Sequence, residues 1–259
     1  MKKIWTFLLL TFLLSAVFYA MILSLESLKE ADNLVFGLMW CPGISAIITV
    51  LIFDKNIRGL GWKLGKAKYL LLSLLIPISY ALIPYSIVWV TGLGKFVPSN
   101  FEENILVFWT SGLALSCLSA LGEEIGWRGF LVPELSKRMN FLKTSLISGF
   151  VWALWHVPGI VFSDYNNGAG WGYSLIMFFI LVLGVSFLFA WLRLRSGSLW
   201  TAVIIHGVHN LFVQGYLDVV TEDTGITKYI TGEFGVALAL SAVVVAFIFW
   251  KKRSQVMNI

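Results

Sequence analysis

Eight apolar stretches, each close to the length that crosses a bilayer, govern what this chain can become. They run over 4–25, 34–53, 69–91, 105–122, 143–163, 171–192, 198–216 and 230–250. A helix rises about 1.5 Å per residue, so about 20 residues cover the ~30 Å of hydrocarbon. Composition agrees, with 58% of the 259 residues hydrophobic, 13% charged and a mean hydropathy of +0.84. A soluble domain of this size needs far more polar surface. The chain therefore reads as an all-α, polytopic membrane bundle of about eight transmembrane helices. Residues 1–259 form a single membrane domain with no low-complexity linker and no internal repeat.

Lys2 and Lys3 before the first apolar run are the one hint of a secretory leader. That run is about twice a usual leader core and no small-x-small cleavage site follows, so a retained first helix is expected. Cys41 and Cys117 fall inside spans, which argues against a disulfide framework, and no metal-type cysteine spacing exists.

The net charge of +5 is informative by position. Lysine and arginine gather at Lys2 and Lys3, in 55–68, in 128–143, at Arg193 and Arg195, and at Lys251, Lys252 and Arg253. The intervening connections carry Glu26, Glu30 and Asp32, then Glu102 and Glu103, then Asp164, then Asp218, Glu222 and Asp223. Basic and acidic connections thus alternate, as eight spans require and an odd number forbids. Positive loops mark the cytoplasmic side, so both termini are expected in the cytoplasm of a multi-pass cell-membrane protein. The same pattern explains the basic residues without nucleic acid.

Ionisable groups are costly inside a membrane, about 2.5–3.5 kcal/mol each, and normally face a cavity or one another. All three histidines lie in spans, His156 in the fifth and His206 and His209 in the seventh, while Glu123, Glu124 and Arg128 sit at the end of the fourth. Glu124 and Arg128 are four apart and share a helix face, suited to an ion pair. Glu123, about 100° further round, has no local cation and, desolvated, would have the basicity wanted in a general base. Gly122, Gly126 and Gly129 form a strip that admits a close neighbouring helix. His206 and Asn210 are again four apart, as are Trp152 and His156. Trp127, Trp152 and Trp155 read as packing or interface anchors, and His209 as packing or support.

At these residues the chain resembles the CAAX protease and bacteriocin-processing (CPBP, or Abi) intramembrane proteases, which include the type II CAAX prenyl endopeptidases. The family's Glu-Glu-x-x-x-Arg is Glu123-Glu124-Ile125-Gly126-Trp127-Arg128. Its aromatic-plus-histidine motif is Trp152-Ala153-Leu154-Trp155-His156, with Trp where Phe is usual, and its His-x-x-x-Asn is His206-Gly207-Val208-His209-Asn210. The match covers about 105–215.

The resemblance implies an eight-helix bundle and an intramembrane endopeptidase. In it Glu123 takes a proton from water, His156 holds that water, and His206 and Asn210 bind the oxyanion. Glu124 with Arg128 would orient Glu123. Members are commonly called metalloproteases, so Zn²⁺ held by His156, His206 and a glutamate stays open beside metal-free chemistry. Neither the His-Glu-x-x-His pattern nor a substrate is visible; a peptide or a prenylated protein would serve. The rival is a non-catalytic immunity or scaffold protein of the same fold. For the motifs to meet, 123–131 must remain within the membrane, with a cavity expected to open to the cytoplasm.

Overall fold

A computed structural model describes residues 1–25 and 31–256. Glu26 and Glu30 of the first acidic connection lie outside the described residues. Among the described residues eight helices make up the bundle. They are α1 (Lys2–Ile22), α2 (Asp32–Phe53), α3 (Ala67–Thr91), α4 (Ile105–Ser136), α5 (Phe141–Phe162), α6 (Trp171–Ser196), α7 (Trp200–His209, continued as π-helix over Asn210–Leu217) and α8 (Val236–Lys251). The first six are long and apolar enough to cross a membrane as single helices. Helix α8 has 16 residues, and α7 changes from α to π geometry partway along. The chain is a multi-pass integral membrane protein, and its outward faces suit lipid: Trp5, Leu9, Ile83 and Val90 are exposed.

Local chemistry sets the helix ends. Asn104 opens α4 by accepting from the backbone N–H of Leu106 at 2.9 Å, and Asn140 opens α5 by accepting from Lys143 at 3.0 Å. Gly92 and Gly197 close α3 and α6 in the left-handed conformation, at φ 75° and 70°.

The alternating connections gather at opposite ends. At one end Lys3 bonds Asp54 and reaches Glu134 at 3.4 Å, Arg138 pairs with Glu134 at 3.2 Å, and the Leu199 amide donates to Gly61 at 2.8 Å. At the other, Lys95–Phe96 (β1) pairs antiparallel with Thr221–Glu222 (β2), and Thr224 donates to the Leu93 carbonyl at 3.1 Å. The first end holds both described terminal helix ends and the lysine-rich connections; the second is the acidic end.

The fourth span departs most from the apolar run that marks it. Hydropathy ends it at 122, whereas α4 continues to Ser136 and is π-helical over Ile125–Leu131. Residues 122–132 are all buried, so 123–131 lie inside the bundle. The glycine strip does what its spacing suggested. A Cβ at Gly126 would stand 2.5 Å from Pro42 of α2, and one at Gly122 would stand 2.7 Å from Trp40. Across the bundle, a Cβ at Gly207 would meet the Cys117 sulfur at 2.6 Å, so α7 also lies against α4.

Candidate active site

Glu123, His156, His206 and Asn210 arrive on three helices and face one cavity of about 340 Å³. Its wall is largely apolar, with Leu38 and Met39 from α2 and Phe178, Leu181, Val182, Val185 and Phe189 from α6. A few polar groups converging in an apolar pocket is the usual form of a ligand site.

The two adjacent glutamates are both buried, 2% and 0% exposed, but keep different company. Glu124 Oε1 accepts from Arg128 Nη1 at 2.8 Å and from His206 Nδ1 at 2.9 Å. The expected ion pair is therefore present. It is 1% exposed on the arginine side, and the guanidinium is clasped between the rings of Trp152 and Phe189, at 3.9 and 4.0 Å from their centroids. The pair's further hydrogen bond is with His206, and the Arg128 guanidinium also lies over Trp152, whose indole N–H reaches Glu123.

Among the described residues Glu123 has no cation in hydrogen-bond contact. Its Oε2 accepts from the indole N–H of Trp152 at 2.7 Å and of Trp127 at 3.3 Å. Trp127 and Trp152, read from sequence as packing, are thus polar partners of the carboxylate.

Tautomers follow from the partners. His156 Nδ1 lies 2.9 Å from the Trp152 carbonyl, which can only accept, so Nδ1 carries the proton and Nε2 is left for the cavity. His206 Nδ1 likewise donates to the Glu124 carboxylate and frees its Nε2.

The acidic-end wall was not legible as a unit. Tyr80 of α3 lies 2.6 Å from His209 Nδ1, His209 Nε2 lies 3.0 Å from Glu233 Oε1, and Tyr165 donates to Glu233 Oε2 at 2.7 Å. With His209 neutral, Tyr80 donates to Nδ1 and Nε2–H donates to Glu233, which satisfies the chain of donors. His209 therefore lies on the cavity wall and bonds two partners there. Neighbouring Asp218 bonds Tyr85, whose oxygen accepts from the Gly232 amide at 2.8 Å. Asp32, Tyr165, Gln214 and Glu233 all belong to the wall, and all stand at the acidic end. The cavity lies toward the end opposite the termini.

Glu124 is matched to Arg128 and both histidine Nδ1 atoms are engaged, which leaves His156 Nε2, His206 Nε2 and Glu123 Oε1 as the donors that could face a metal. Among the described residues no three His, Cys, Asp or Glu side chains come together as ligands.

A largely apolar cavity inside a multi-pass helical bundle, with carboxylate, imidazole and amide groups converging on it, is the architecture of an intramembrane enzyme or receptor. Comparison narrows the class. A family model described as type II CAAX prenyl endopeptidase Rce1-like matches residues 105–212. CAAX prenyl protease 2 of Methanococcus maripaludis is 28% identical over 190 residues, covering 66% of this chain and 65% of that one. Lysostaphin resistance protein A of Staphylococcus haemolyticus is 21% identical over 234 residues, 83% of this chain and 59% of that one. The Staphylococcus epidermidis protein of the same name is 22% identical over 233 residues, with 83% and 56% covered. The chain therefore spans a little under two thirds of the length of these relatives. Residues 105–212, which carry all three motifs, are thus similar to the type II CAAX prenyl endopeptidases of the CAAX protease and bacteriocin-processing family.

Proposed function

We propose that this chain is an intramembrane endopeptidase that hydrolyses a peptide bond with water activated by Glu123. The observation that carries the reading is the meeting of Glu123, His156, His206 and Asn210 on one cavity although they lie on three helices. Water held between the Glu123 carboxylate and His156 Nε2 gives one proton to Glu123 as its oxygen attacks the peptide carbonyl carbon. The oxyanion accepts from the Asn210 amide and from His206 Nε2–H, the imidazolium form that the Glu124 carboxylate supports. Glu123 then passes the proton to the leaving nitrogen and the C–N bond breaks. No step requires a metal. Treatment with a tight zinc chelator should leave activity intact; loss restored by added zinc would reverse that choice.

The substrate is a peptide or protein segment, prenylated or not, that can enter an apolar-walled pocket within a membrane. Orientation follows the lysines: the end with Lys3, Arg195 and Lys252 faces the cytoplasm and the acidic end faces out. On that orientation the cavity is reached from the non-cytoplasmic side. A membrane-impermeant maleimide should label Gln214→Cys in intact cells and spare Lys252→Cys; the opposite labelling would invert the topology.

The functional test is comparative mass spectrometry of membrane-fraction peptides from cells carrying wild type or Glu123→Gln. Defined cleavage products should be present with wild type and missing with the variant. Identical peptide sets, with an unchanged phenotype, would favour the immunity or scaffold reading.

A further inference from the structure

The tryptophan at 152, where the family resemblance leads one to expect phenylalanine, places an N–H donor on the carboxylate expected to act as base. Its Nε1 is 2.7 Å from Glu123 Oε2, and the indole of Trp127 adds a second donor to the same oxygen at 3.3 Å. Glu123 Oε1 has no hydrogen bond among the described residues, and the side chain faces the cavity. We infer that Trp152 and Trp127 are positioning residues that hold Glu123 by Oε2, leaving Oε1 as the oxygen that takes the proton from water. This inference rests on the reading of Glu123 as the general base.

Both donors are held in place from behind. Trp152 has the Arg128 guanidinium over its ring at 3.9 Å and meets the His206 ring edge-on at 5.4 Å. Trp127 is fully buried, with Phe7 edge-on at 5.7 Å and Trp155 at 6.1 Å. A buried carboxylate needs such donors to keep one orientation, because an unpaired charge in that setting is costly. The chain supplies two from neutral side chains. The consequence is geometric: both donors meet the same oxygen, Oε2, and fix the carboxylate by it. The same packing ties the remote ion pair to the base, since the Arg128 guanidinium bears on the ring whose N–H reaches Glu123. Sequence alone gave this position the weight of an aromatic-for-aromatic exchange. What it could not show is that the added N–H points at the carboxylate.

The test uses the purified full-length chain in lipid nanodiscs and a quenched-fluorescent peptide built around a cleavage site found in wild-type membranes. Trp152→Phe keeps the ring and removes the donor. Its kcat should fall about tenfold with KM within about twofold, since a loosened reacting group slows chemistry and leaves binding alone. Trp127→Phe, whose bond is longer and weaker, should lose about threefold with the same split. A merely structural role would move thermal unfolding and KM together. Wild-type kcat in Trp152→Phe, or a loss carried wholly by KM, overturns the inference. Should Trp152→Phe fail to fold, Trp127→Phe decides on the same criteria. Glu123→Gln separates the two readings: if it cleaves normally, the base assignment itself fails. An inactive Glu123→Gln beside an unimpaired Trp152→Phe overturns only the tryptophan assignment.

Discussion

The cavity has two carboxylate–imidazole pairs, and they are held in different ways. On its inner side Glu124 joins His206 and Arg128, a charged triad under aromatic rings. At the acidic-end rim Glu233 joins His209 with two tyrosines and no cation in hydrogen-bond contact. The difference teaches what each can do. The inner pair has a compensating charge, so it can support an imidazolium facing an oxyanion. The rim pair is built of neutral donors, and ties the 218–235 connection to α3, α7 and the turn after α5.

Three changes probe that contrast. The largest effect is expected for Arg128→Met, which leaves Glu124 buried without its cation. Losing one partner of a buried pair costs about 3–5 kcal/mol, to be read from denaturant unfolding in detergent, while Glu124→Gln with Arg128→Met should cost less. A loss below ~1 kcal/mol for Arg128→Met would erase the distinction between the two pairs. Next comes Tyr165→Phe, which removes one donor to Glu233. It should cost about 1–2 kcal/mol and leave kcat near wild type, since the rim positions a connection and not the reacting atoms. A kcat loss as large as that of the motif variants would move the rim into the chemistry.

The smallest effect is local and depends on pH. Burial pushes the Asp218 carboxyl from its ordinary 3.8 up to about 7. A raised value means that the folded rim binds the proton more tightly than the unfolded chain does. The stabilisation is therefore complete below about pH 4 and is lost as pH rises through 7. Hydrogen exchange at the Gly232 amide, bonded to Tyr85, should quicken over that range. Asp218→Asn should flatten the dependence; an unchanged slope would detach the rim from Asp218.

The same contrast explains what was legible in the sequence. Glu124 and Arg128 are four residues apart on one helix, and His206 and Asn210 repeat the interval, so helical geometry puts each pair on a shared face. The eight helices were legible because lipid demands long apolar runs. Tyr80, Tyr165, His209 and Glu233 stand in four separate segments with no spacing relation, and only packing brings them together. Residues 123–131 were ambiguous for a physical reason: their polar groups look like an exit from the membrane until the partners that bury them are known. The tryptophans misled because an indole is both an apolar anchor and an N–H donor, and periodicity registers only the first. The position of the 218–235 connection over the site has no sequence signature.

Single-turnover cleavage in ¹⁸O-labelled water tests most directly whether Glu123 directs water onto the peptide bond. Expected is one ¹⁸O in the new C-terminal carboxylate of the product, none in the Glu123 side chain, and no turnover by Glu123→Gln. Label recovered on Glu123 with an unlabelled product would instead mean that the carboxylate attacks the peptide itself. Undiminished labelled product from Glu123→Gln would mean that another group activates the water.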